Sequence, residues 1–249
     1  MQKRKIVVVG AGSSIARHCI YEWMSRSSTD FFLVGRDSKK LEQLRNDILV
    51  RDPTAIVDVD SLDFNDVTRI TESVSKIFSL AEVNIVLIAH GFLPDQELCK
   101  ANLSQARQAL EINGVSVVLF AAQFIQSLMR QGHGTLVVIS SVAADRGRKS
   151  NYFYGAAKSM VSTYMQGLQH DLLGTNIKAV LVKPGPTKTP MTANLQNVKY
   201  RMASVEKVAK DIVDGVERTC LTIYTPAKWA MIMWIIKHLP DSIYRRLNI

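Results

Sequence analysis

A chain of 249 residues, 47% hydrophobic and 21% charged, has the composition of a folded globular protein and falls outside the disordered and low-complexity classes. Its 31 Lys and Arg against 22 Asp and Glu leave a net charge of +9. That excess suits anionic partners such as a phosphorylated cofactor or an acidic lipid surface, or else is a solvated basic surface. Nucleic acid is not expected, because no basic helix, zinc-ligand spacing or aromatic-interleaved basic strand accompanies the charge.

The opening basic residues are followed by an apolar run that ends at Gly10, too short for the core of a signal peptide, and the run reads as a strand. Strands are predicted at 5–9, 31–34, 55–59, 84–89, 135–140, 178–182 and 221–225. Helices are predicted at 14–27, 38–50, 67–80, 104–130, 152–173 and 205–218. The strand candidates are apolar throughout rather than alternating, as in parallel strands covered on both faces. Their alternation with helices predicts right-handed βαβ units, hence an α/β fold with one doubly wound parallel sheet of about seven strands and helices on both faces. No repeat or linker interrupts the pattern, so one domain over 1–249 is expected, carrying an apolar and basic extension over 226–249. Cys19, Cys99 and Cys220 form neither a disulfide framework nor a metal cluster, which predicts a reducing, cytoplasmic compartment and no metal.

The first strand runs into Gly10-Ala11-Gly12-Ser13-Ser14-Ile15 and then into a helix. A tight glycine turn there lets backbone N–H groups reach a pyrophosphate at the positive helix end. The second strand ends at Gly35-Arg36-Asp37. Arg36 suits a 2′-phosphate, so NADP is favoured over NAD. Asp37 reads either as a ribose ligand or as a helix N-cap. Beyond the third strand, Asp60 is a candidate acceptor for the adenine amino group, and Asp63 reads equally as a helix cap.

Ser141 follows the fifth strand at its carboxyl end, the edge at which open α/β sheets bind ligands. Tyr154 and Lys158 stand four apart and share one helix face. An ammonium beside a phenol, with the positive ring of an oxidised nicotinamide, brings the phenol towards working pH. Tyr154 could then donate a proton to a carbonyl oxygen as hydride reaches the carbon, with Ser141 bonding the same oxygen.

In this order, the glycine turn at Gly10, Asn113 in Glu111-Ile112-Asn113-Gly114, Ser141, Tyr154, Lys158 and the stretch Pro184-Gly185-Pro186-Thr187-Lys188-Thr189 resemble the short-chain dehydrogenase/reductase family over nearly the whole chain. The resemblance implies a Rossmann-like fold and a catalytic tetrad of Asn113, Ser141, Tyr154 and Lys158. It also implies cofactor contacts from Ala89 and Gly91 after the fourth strand, and from Pro184, Gly185, Thr187 and Thr189. Two departures stand out: Ser14 and Ala16 replace loop glycines, and Ile88-Ala89-His90-Gly91 stands where an asparagine usually buttresses the sheet.

The basic stretch over 140–151 and the tail over 240–249 are also similar to reductases of the type that converts decaprenylphosphoryl-2-keto-erythro-pentose to the arabinose in cell-wall synthesis. That likeness implies a lipid-linked keto-sugar substrate and a flavin oxidase partner. A 3-oxoacyl or steroid-like ketone stays open as an alternative, and a non-catalytic NAD(P) sensor is disfavoured by the intact tetrad. Arg146, Arg148 and Lys149 are read either as receivers of a lipid phosphate or as a solvated loop. The apolar run 229–236 is read either as a core or subunit-interface helix of a homo-oligomer (dimer or tetramer) or as an interfacial helix. The latter would meet lipid at the inner face of the cell membrane, between Lys228, Lys237, Arg245 and Arg246.

Overall fold

The computed structural model describes residues 3–193 and 202–246. Seven strands form one parallel sheet in the order β3-β2-β1-β4-β5-β6-β7. They are β1 (Arg4–Val9), β2 (Thr29–Gly35), β3 (Val57–Ser61), β4 (Ile85–Ile88), β5 (Gly134–Ile139), β6 (Ile177–Pro184) and β7 (Thr222–Thr225). The predicted α/β, doubly wound sheet is therefore present. The strand order reverses between β1 and β4, which opens a crevice at their carboxyl ends.

The unbroken apolar strands are explained by helices on both faces. Ile6, Val8, Phe31 and Leu33 point towards α1 (Ser14–Met24), α2 (Ser38–Arg51) and α8 (Val205–Glu217), where Trp23, Leu44 and Ile212 close the layer. Val7, Val9, Phe32 and Val34 point towards α3 (Val67–Leu80), α6 (Ser116–Gln131) and α7 (Tyr152–Asp171), meeting Val74, Phe120 and Met165. Each fully buried side chain of this size stabilises the fold by about 1.5–3 kcal/mol.

Apart from shifts of one to three residues at the ends of other elements, three differences from expectation stand out. The third strand starts two residues late, because Asp52 first folds a turn in which its carboxylate accepts from the Thr54 N–H at 3.0 Å and its carbonyl from Ala55 N at 3.1 Å. A short helix, α4 (Gln96–Ala101), forms between the predicted strand 84–89 and helix 104–130, capped by Asp95. The helix expected over 104–130 is α5 (Leu103–Leu110), a π-helical turn (Glu111–Val115) and α6 in direct succession. The run Leu103–Gln131 is long and apolar enough to cross a membrane, but Phe120, Phe124 and Leu128 are wholly buried in the core. After β7 come α9 (Lys228–His238) and α10 (Asp241–Tyr244). Residues 247–249 of the predicted tail lie outside the described residues.

Candidate active site

A cleft of about 620 Å³ lies at the carboxyl edge of the sheet. Of the residues read from sequence as cofactor contacts, Gly10, Gly12, Ser13, Ser14, Ile15, Arg36, Gly91, Thr187 and Thr189 line it. Asp60, Ala89, Pro184 and Gly185 do not, nor do Tyr154 and Lys158, which the family resemblance also implies as cofactor contacts. Asp60 pairs with Arg69 at 3.6 Å, Ala89 is buried and donates its N–H to Val9 O at 2.9 Å, and Pro184 stands opposite Thr225 in the sheet.

The lining fits a dinucleotide. Gly10 has φ +78° and sits against His90, whose backbone N would be 2.6 Å from any added Cβ. Only glycine makes that turn without strain. Over Gly12 there is open space. Ser13, the N-cap of α1, makes no side-chain cap bond, and the first turn holds no acidic residue. The N–H groups of that helix end thus meet no anionic side chain, and the end favours a pyrophosphate. Arg36 and Lys40 stand at the end of β2 and the start of α2 beside the cleft. Asp37, left open between ribose ligand and cap, caps α2: its carboxylate accepts from Lys40 N at 3.1 Å. Asp63 likewise turns onto its own loop, accepting from Asn65 N at 3.0 Å.

The four tetrad residues come together behind this cleft. Asn113 sits in the π-helical turn, fully buried. Its Oδ1 accepts from Phe92 N at 2.8 Å and its Nδ2 donates to Ala109 O at 3.0 Å. Lys158, also buried, donates from Nζ to Ile139 O at 3.1 Å. Gly91 joins cleft to tetrad: a Cβ there would stand 2.8 Å from Asn113 Oδ1 and 3.6 Å from Lys158 Nζ. Ser141 accepts from Ala143 N at 3.1 Å and shares a side-chain hydrogen bond with Tyr154. Lys158 Nζ lies 5.9 Å from the Tyr154 ring centroid.

Electrostatics here differ from the sequence expectation. Burial pushes the Tyr154 phenol up to about 12, opposed only in part by the Ser141 bond. The same burial pushes Lys158 down to about 8. In the protein alone desolvation outweighs the ammonium, so the phenol stays protonated at neutral pH, the state a proton donor requires. Lys158 is an ammonium below about pH 8 and neutral above it. If its charge supports the reaction, kcat/KM for reduction falls about tenfold per pH unit above that value. A pH–rate profile from 6 to 10 checks this, and a flat line through pH 9 contradicts it.

The fourth-strand departure has a structural answer. His90 Nε2 lies 2.9 Å from Ser116 Oγ, whose own proton goes to Ile112 O at 3.0 Å. Burial first, then Lys158 and Arg36, push His90 down to about 3, so the ring is neutral and donates from Nε2. His90 therefore ties the end of β4 to the start of α6, directly after the turn that carries Asn113, and stands in for the absent asparagine. Its ring packs on Phe64 at 4.5 Å and Phe120 at 5.6 Å between centroids.

The basic stretch is less open than expected. Arg146 is spent on the C-terminal helices, donating to Ile236 O and Leu239 O. Arg148 lies against Met233 Sδ at 3.4 Å, and Lys149 is exposed. Sequence reading also missed a buried set in which Lys183 Nζ meets Asp145 at 2.5 Å and Tyr224 donates to the same carboxylate at 2.9 Å. Its three members are far apart in the chain, so no local pattern announces it.

The short chain dehydrogenase family model matches residues 4–199. An uncharacterized oxidoreductase of Streptomyces coelicolor is 28% identical over 98% of this chain and 96% of its own length. Two solved structures are similar in fold. A short chain dehydrogenase from Burkholderia cenocepacia in complex with NADP has a TM-score of 0.83 at 16% identity, covering 100% of this chain and 98% of that one. A short-chain dehydrogenase from Sphingobium yanoikuyae in complex with NADPH has a TM-score of 0.80 at 20% identity, covering 96% and 97%. With the family model spanning most of the sheet, this chain belongs to the short-chain dehydrogenase/reductase family of NAD(P)-dependent oxidoreductases.

Proposed function

We propose that this protein is an NADPH-dependent ketone reductase in which Tyr154 is the proton donor. The observation that carries the reading is the grouping of half-buried Ser141 and Tyr154 with buried Lys158, joined through Gly91 to the phosphate-binding turn. When bound, the reduced nicotinamide supplies hydride to the carbonyl carbon. Tyr154 gives its hydroxyl proton to the carbonyl oxygen, and Ser141 stabilises charge on that oxygen through a hydrogen bond. Lys158 would hold the nicotinamide ribose, and Asn113 would order a water beside that lysine. Arg36 and Lys40 select the 2′-phosphate; NAD is the lesser cofactor.

The proposed substrate is the 2-keto group of a polyprenylphosphoryl pentose, a precursor of cell-wall or surface polysaccharide, reduced at the inner face of the cell membrane. A flavin oxidase acting on the same carbon is the partner that supplies the ketone. One feature supports a lipid-borne ketone. On α9, Met231, Trp234 and Ile235 are exposed between Lys228 and Lys237, a surface suited to acyl chains and anionic headgroups.

The test compares NADPH oxidation with the lipid-linked keto-pentose, a 3-oxoacyl thioester and a steroid-like ketone. The highest kcat/KM is expected for the first, and equal or better turnover of either other ketone contradicts the substrate assignment. In the same assay, Arg36→Ala with Lys40→Ala raises KM for NADPH by about 10–100-fold through lost charge-assisted bonds and leaves KM for NADH unchanged.

A further inference from the structure

We propose that α9 and α10 are part of the active-site scaffold, with Arg146 as the positioning residue through which they hold Ser141. This rests on the reading of Ser141 and Tyr154 given above. The loop leaving Ser141 is gripped residue by residue from the C-terminal side. Val142 packs with Trp229, Met233 and Ile236 of α9. Asp145 is fixed by Lys183 and Tyr224, from the ends of β6 and β7.

Arg146 makes the strongest tie. Its guanidinium donates to Ile236 O at 2.5 Å and Leu239 O at 2.7 Å, the free carbonyls ending α9. It pairs with Asp241 at 2.7 Å and stacks 3.9 Å from the Tyr244 ring centroid. Tyr244 OH donates back to Gly147 O at 2.7 Å. A planar guanidinium is suited to bridging two carbonyls, a carboxylate and an aromatic face at once, and a lysine is not. The opposite end of α9 presses on the Pro184-Gly185 turn, since any Cβ on Gly185 would overlap the Trp229 indole. The tail therefore spans from the Pro184-Gly185 turn to the loop of the proposed catalytic serine. A displacement of about 1 Å at such a group costs on the order of 100-fold in rate.

The experiment is a double-mutant cycle on the full-length protein, with Arg146→Ala, Ser141→Ala and both together. It reads kcat with a ketone that the wild type reduces and NADPH affinity by nucleotide fluorescence. Arg146→Ala is expected to lower kcat about 10–100-fold with NADPH affinity within twofold of wild type. In the Ser141→Ala background it should lower kcat no further, because both changes act through one hydroxyl. Arg146→Lys should recover only part of the loss. Should Arg146→Ala fold poorly, Asp241→Asn, which removes one contact, is expected to lower kcat about threefold and to show the same loss of effect without Ser141. Wild-type kcat in Arg146→Ala, or an equal loss in both backgrounds, overturns the clamp. Full activity in Ser141→Ala alone overturns instead the site reading, and the clamp with it.

Discussion

Tyr154→Phe lowers kcat by about 10³-fold while NADPH affinity and the melting temperature stay close to wild type. The substitution removes one transferable proton and one hydrogen bond, and general acid catalysis of this kind contributes about 10²–10⁴-fold. Folding suffers little, because Ser141 Oγ keeps its bond from Ala143 N at 3.1 Å and is not left unpaired. The aromatic ring stays in place, so the shape of the pocket is unchanged. Steady-state kinetics with nucleotide titration checks the separation. A variant that retains more than a tenth of wild-type kcat, or that loses cofactor binding in parallel, contradicts the role proposed for the phenol.

Gly10→Ala has the second large effect, by a different route. At φ +78° any side chain is strained, by about 1–2 kcal/mol. The added Cβ would also stand 2.6 Å from His90 N, a backbone atom with no freedom to swing away, and such overpacking costs about 1–3 kcal/mol. Together these predict a fall in melting temperature of roughly 5–15 °C for a chain of this size. NADPH affinity falls more than about tenfold, because His90 and the phosphate turn are pushed apart. Gly12→Ala is the control. A Cβ there meets nothing within 4 Å, so stability stays near wild type while affinity drops, the methyl group occupying the cleft. Differential scanning fluorimetry with and without NADPH separates the two. Equal melting temperatures for both variants contradict the close-approach account of Gly10.

The features legible in sequence are those whose cause is local. The strands announce themselves because two covered faces leave no polar alternation, as in Val7, Val8 and Val9. Tyr154 and Lys158 share a face because helix geometry brings residues four apart together. The glycine turn is readable because it stands where a strand passes into a helix. What escaped depends on partners far along the chain or on one inserted residue. Apolar periodicity over 104–130 does not resolve the π-helical turn at Glu111–Val115 that seats Asn113. His90 as a buttress depends on Ser116 and on Phe64 and Phe120, none of them its neighbours in sequence. Arg146 reads as one cation of a basic run, yet its acceptors are 90 or more residues away. Asp37 illustrates the limit most simply: its spacing suits a cap and a ribose ligand alike, and in the fold it both caps α2 through the bond from Lys40 N and lines the cleft.

The central claim is that hydride passes to a ketone beside Tyr154. A single-turnover reaction with NADPH carrying deuterium at both C4 positions, followed by mass spectrometry of the reduced substrate, tests it directly. Wild-type protein is predicted to move one deuterium onto the former carbonyl carbon of the polyprenylphosphoryl keto-pentose, with Tyr154→Phe transferring none on the same timescale. Product formed without the label, or label transferred equally by Tyr154→Phe, would contradict the account.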